Sequence, residues 1–200
     1  MCLLPLSGID FEPDIESNEL SDIVFNNVTA RGNEGRGFQW TLHMLSLRTP
    51  NPVGVTLNNC TVVGNSYGVS ISGNKVGLPP GGHITFNGLQ THNTKRSAIL
   101  VEDKPSSLQL NIVGATLTNV SAACTAPIWV EGQSSLCSGV HLNNVTVHDS
   151  VHRPAINMLG GEVQDVTGDL HVVNPTGCVP ANITGTSNTL KVSCKRQKLV

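Results

Sequence analysis

The segment Gly8-Ile9-Asp10-Phe11-Glu12-Pro13-Asp14 carries the densest chemistry in this 200-residue chain. Asp10 and Glu12 stand two residues apart, so on an extended strand their side chains share one face, about 7 Å from each other along the strand. Carboxylates at that range have three uses. They can act as acid and base, or acid and nucleophile, in glycoside cleavage, where carboxyl separations of about 5–9.5 Å are found. Together with Asp14 they can hold a hard cation such as Ca²⁺, which takes several oxygen ligands. They can also form a solvated acidic strand, closed by Pro13, that discourages edge pairing.

Further candidates are scattered along the chain. Lys104 and Arg153 can each serve as a base or steady the enolate-like intermediate of a lyase. His43 is a further candidate for that chemistry, set against the plain alternative of a surface histidine. Trp129 offers an indole that can stack on the apolar face of a sugar ring, or simply pack beneath the loop between Cys124 and Cys137.

Positioning such residues requires a regular scaffold, and the chain contains one. Alternating apolar pairs return at Ile9/Phe11, Phe38/Trp40, Val69/Ile71, Ile99/Val101, Ile128/Val130 and Ile156/Met158, with steps of 29, 31, 30, 29 and 28 residues. A period near thirty marks stacked repeats. A second set runs in phase: Ile23/Phe25, Val55/Leu57, Ile84/Phe86, Leu110/Ile112 and Val140/Leu142. Two residues after each comes Asn27, Asn59, Gly88, Gly114 or Asn144. Gly and Asn enter the left-handed backbone region most cheaply, so this column predicts one tight corner recurring in every repeat. Alternation resumes afterwards, as in Cys60/Val62 and Ala115/Leu117. Each repeat therefore reads as strand, loop, strand, corner, strand. No stretch keeps a helical apolar face for three turns.

These strands and corners resemble the superfamily of right-handed parallel β-helices, the pectate-lyase-like fold, over roughly residues 8–172. The resemblance implies an all-β, single-stranded parallel solenoid of about six coils with three strands per coil. It also implies that the corner asparagines stack inside as a hydrogen-bonded ladder. Residues 173–200 are expected to form a C-terminal cap and tail. The opening residues run straight into the first strand, so a missing N-terminal part is expected.

If Ile9 and Phe11 point inward, the same register turns Asp10/Glu12, Gln39/Thr41, Ser70/Ser72, Leu100/Glu102, Trp129/Glu131 and Asn157/Leu159 outward. In pectate-lyase-like proteins this face usually holds an extended polysaccharide. Gln39, Glu102, Trp129, Glu131, Asn157 and Arg153 are accordingly its expected substrate-binding residues, with Asp10, Glu12, His43 and Lys104 as its expected catalytic ones. The chain lacks the Trp-x-Asp-His signature of pectate lyases; Ile128-Trp129-Val130-Glu131 is the nearest segment. It also lacks the Asn-x-Asp, Asp-Asp, Gly-His-Gly and Arg-x-Lys set of polygalacturonase-type hydrolases. Two functions stay open: a carbohydrate-active protein that binds, cleaves or epimerises a polysaccharide, and a non-catalytic extracellular adhesion or structural module.

Composition narrows the partners. Only 13% of residues are charged and the net charge is −2, which argues against nucleic acid, and no run approaches transmembrane length. An extracellular setting is expected, although the first residues make a poor signal peptide. Cys60 falls in an inward column and is expected to be a buried thiol. Cys124/Cys137 and Cys178/Cys194 can each close a disulfide, and no Cys/His spacing suits zinc. Asn-x-Ser/Thr sequons occur at Asn27, Asn59, Asn119, Asn144 and Asn182. If the corner asparagines are internal, only Asn119 and Asn182 remain as glycan acceptors.

Overall fold

Short alternating segments rich in Val, Ile, Thr and Phe form strands because branched and aromatic side chains suit a pleated surface packed on one side. A computed structural model describes residues 7–15, 18–73, 77–120, 126–132, 137–148, 154–160, 163–173 and 187–195, and every regular element among them is a strand. The first strands of the coils are β1 (Ser7–Phe11), β4 (Arg36–Thr41), β7 (Tyr67–Ser72), β10 (Ile99–Glu102), β13 (Ile128–Gly132) and β15 (Ile156–Gly160), and they stack in that order as one six-stranded parallel sheet.

The second strands are β2 (Ile23–Asn26), β5 (Gly54–Asn58), β8 (Gly82–Asn87) and β11 (Leu108–Val113). The third strands are β3 (Thr29–Arg31), β6 (Thr61–Val63), β9 (Gln90–His92) and β12 (Thr116–Thr118). Both rows end on β14 (Val140–His148), which serves as second and third strand at once and joins them into one sheet. Beyond it, β16 (Val166–Val173) pairs with β14 and β17 (Thr189–Lys195) pairs with β16, all in parallel. Part of the expected cap region thus continues the second sheet as β17. The molecule is a parallel β-solenoid.

The expected inward columns are the core. Ile9, Phe38, Val69, Ile99, Ile128 and Ile156 stack in register, as do Phe11, Trp40, Ile71, Val101, Val130 and Met158. From Phe38 and Trp40 onward, both columns are 0–1% exposed, and each such side chain contributes about 1.5–3 kcal/mol of burial. Cys60 is a buried free thiol, as its column implied. Where the third strand turns into the next first strand, the column Gly37/Gly68 must stay small. A Cβ on Gly68 would lie 2.3 Å from the Ala98 carbonyl oxygen.

The expected corners exist, with φ of 56° at Asn27, 52° at Asn59, 69° at Gly88, 65° at Gly114 and 53° at Asn144. The expected internal ladder at these residues does not. Asn27, Asn59 and Asn144 are exposed. A side-chain ladder runs one residue earlier and outside, where Asn58 Nδ2 donates to Asn26 Oδ1 and Asn87 Nδ2 donates to Asn58 Oδ1, both at 2.9 Å. A second left-handed column, Gly32, Gly64, Asn93 and Asn119, closes the third strands. The buried amides follow that column. Asn65 is fully buried, accepts the Asn33 backbone N–H through Oδ1 at 2.6 Å, and donates from Nδ2 to the carbonyls of Ala30 (3.1 Å) and Val63 (3.3 Å). Asn65→Ala would strand the Asn33 backbone N–H and take one bond from each of the Ala30 and Val63 carbonyls, of which Val63 keeps the Gly32 N–H. Its expected cost is about 1–3 kcal/mol, read as a lower urea midpoint at unchanged slope.

Candidate functional site

The outward residues of the first sheet do not form one continuous polar groove. Ser70, Leu100 and Asn157, in the middle column, are 2%, 5% and 8% exposed, so Asn157 is a mostly covered position. Chemistry collects at two ends.

At the first end are Asp10, exposed on β1, and Glu12 just beyond it. Partial burial and the neighbouring Glu12 charge push the Asp10 carboxyl above its usual range, and the Arg36 guanidinium opposes both. Gln39 lies beside Asp10 in register, but both ends of its amide are engaged. Ser7 Oγ donates to its Oε1 and its Nε2 donates to Thr41 Oγ1, each at 2.8 Å. Among the described residues no group of three or more His, Cys, Asp or Glu side chains is arranged to hold a metal ion.

At the second end, Glu102 on β10 and Glu131 on β13 are neighbours in register, about 4.8 Å apart at the backbone. Partial burial, the Glu131 charge and the Asp103 charge raise the Glu102 pKa, with Arg36 again opposing. Trp129 is half-buried, and its indole N–H donates to Glu131 Oε2 at 3.1 Å. That bond fixes the ring and the carboxylate together on the outward side. Where β7 and β10 end, Ser72, Gly73, Glu102 and Asp103 join His43 around a cleft of about 300 Å³. His43 and Glu102, drawn from separate coils, are therefore brought together.

Lys104 is placed otherwise than expected. It is 0% exposed, and its ammonium donates to the carbonyls of Pro105, at 3.0 Å, and of Leu108. Burial lowers its pKa from 10.5 to about 8, partly offset by Cys137. The reason is Asp103, whose φ of 46° breaks the strand alternation and turns the next side chain inward. Lys104 holds its own loop and does not reach the outward face. Cys137 is a buried free thiol, so the Cys124–Cys137 bridge is not formed; Arg153, Cys124 and Cys178 lie outside the described residues.

Reading by alternation missed one group. The Arg36 and Arg96 guanidiniums each lie 5.5 Å from the centroid of the Tyr67 ring, and Arg96 Nη1 donates to the Tyr67 hydroxyl at 2.8 Å. Such cation–π contacts contribute about 0.5–1 kcal/mol at exposed sites. Their signal was the pairing of Arg36 with Tyr67 one step before the small Gly37/Gly68 column, where charged and aromatic residues of neighbouring coils meet. Compared with protein-family models, curated proteins and solved structures, the chain matches none.

Proposed function

We propose that this chain is an extracellular carbohydrate-binding β-solenoid of the pectate-lyase-like kind. A polysaccharide would lie on the first sheet at the Trp129, Glu131 and Glu102 end. The observation that carries the reading is the Trp129–Glu131 hydrogen bond beside the cleft of His43, Glu102 and Asp103. An indole held in place gives a flat apolar platform for a sugar ring, and the adjoining carboxylates accept hydrogen bonds from its hydroxyls. Five sequons support the extracellular setting. Asp10 and Glu12 offer separate polar contacts at the other end of the sheet.

One observation favours a second reading, hydrolysis at the same end. Glu102 holds its proton more readily than an ordinary glutamate while standing beside Glu131. A carboxyl that keeps its proton suits a general acid, and a second carboxyl within reach suits a base or nucleophile. Glu102 would protonate the departing glycosidic oxygen as its bond to the sugar breaks, and Glu131, beside it on the same face, would take a proton from the water that replaces it.

Affinity electrophoresis through gels holding acidic or neutral polysaccharides tests binding. Wild type is expected to be retarded on at least one of them. Trp129→Ala is expected to lose at least tenfold in affinity, and Glu131→Gln somewhat less. Equal mobility of wild type and both variants on every polysaccharide would sink the assignment. Glu102→Gln separates the two readings, because it should abolish release of reducing ends while leaving retardation largely intact.

A further inference from the structure

We propose that the outer ridge formed by the corners between second and third strands is an N-glycosylation surface, with Asn27, Asn59 and Asn144 as its acceptors. Each opens a sequon: Asn27-Val28-Thr29, Asn59-Cys60-Thr61 and Asn144-Val145-Thr146. All three occupy the same left-handed corner, at φ of 56°, 52° and 53°, and all three are exposed. The side-chain hydrogen bonding near them is done by Asn26, Asn58 and Asn87, and the buried Asn65 serves the other left-handed column. Glycans at the corners would leave both sets of bonds intact.

The ridge is also well placed. It is the vertex where the second and third strands meet, and no strand of the first sheet belongs to it. Bulky solubilising groups there would stand clear of the Trp129 and Glu102 end and of the whole first-sheet face. The two middle coils carry Gly88 and Gly114 at the corner and offer no acceptor. Asn27 and Asn59 lie on neighbouring rungs, about 4.8 Å apart. They are the pair expected to share occupancy, whereas Asn144 stands alone. Asn119 differs from the ridge residues, because its Nδ2 already donates to Asn93 Oδ1 at 2.6 Å.

Transfer from a lipid-pyrophosphate-linked oligosaccharide would form the bond from sugar C1 to asparagine Nδ2. The bond from C1 to the pyrophosphate oxygen breaks, the lipid pyrophosphate leaves, and one Nδ2 proton is lost to the transferase base. The test is translation of the full chain behind a cleavable secretion leader with microsomal membranes, scoring only protease-protected chains. Release by peptide-N-glycosidase in heavy-oxygen water then labels each occupied asparagine for site-resolved mass spectrometry. Label is expected at two or three ridge asparagines. Thr29→Val, Thr61→Val and Thr146→Val should each remove the label from their own sequon while keeping the corner asparagine in place. Label at one ridge site or none, including label only at Asn119 and Asn182, overturns the proposal.

Discussion

Trp40→Ala is expected to destabilise the solenoid by about 3–5 kcal/mol, enough to leave a marginal domain largely unfolded at 37 °C. Trp40 is 0% exposed and joins three coils. Its ring stacks on Phe11 of the preceding rung with centroids 4.9 Å apart and planes 11° apart, meets Phe86 edge-on at 5.5 Å, and lies tilted against Phe38 at 6.5 Å. Removing it opens a cavity that the neighbouring rungs cannot close, because each rung is held in register by its own hydrogen bonds. Trp40→Phe gives the contrasting result. The Trp40 indole N–H is buried with no hydrogen-bond partner, so phenylalanine removes an unsatisfied donor as well as volume. That variant is expected within about 1 kcal/mol of wild type, since the two effects oppose each other. Urea unfolding followed by far-ultraviolet circular dichroism checks both; an alanine variant within 1 kcal/mol of wild type would show that the aromatic stack carries little of the stability. Trp40→Phe also leaves Trp129 as the sole tryptophan, a fluorescence reporter for glycan titrations.

The second large effect concerns pH. Lys104 titrates near 10.5 when unfolded and near 8 when buried in the fold. Below about pH 8 both states carry the proton, and the folded state bears the full cost of a buried ammonium. Between about 8 and 10.5 the folded state releases its proton while the unfolded state keeps one, so stability rises with pH, in total by about 3 kcal/mol. Cys137 acts in the opposite sense, because burial raises its thiol above 9.0 and the unfolded state loses that proton first. Wild type should therefore gain stability from about pH 8 to pH 9 and then level off. Lys104→Met is expected to abolish the gain, whatever the loss of its bonds to the Pro105 and Leu108 carbonyls does to stability at pH 7. Urea midpoints across pH 6.5–10 test this. A methionine variant that keeps the rise would locate the titration elsewhere.

Lys104 also explains where sequence reading stopped. Apolar alternation located all six first-strand pairs, because one buried face imposes a period of two that nothing else mimics over six coils. The Asn/Gly column likewise announced the left-handed corners. Alternation predicts side-chain direction only while the backbone stays extended, and each left-handed residue resets the parity. Asp103 does so before Lys104, which swings inside, and the corner asparagines do so after Asn26, Asn58 and Asn143, which keeps the corner side chains outside. The internal amides Asn33 and Asn65 follow a second left-handed column that mixes two glycines with Asn93 and Asn119, a pattern too short to separate from ordinary turns. Of the candidate site, His43 and Glu102 were visible as residues of the right kind on the right edge. Their convergence was not, because it depends on loops of unequal length between first and second strands, whose course no periodicity describes.

The two recurring corners also make each coil a cassette. A tandem copy or loss of the stretch from Asn59 to Asn87 would put one left-handed corner residue where another stood, and would lengthen or shorten the rod by a single rung of about 4.8 Å. Loss of that stretch would bring β5 against β11 in place of β8. A segment that packs as a unit is in this way also a unit that can be inherited, multiplied or dropped whole.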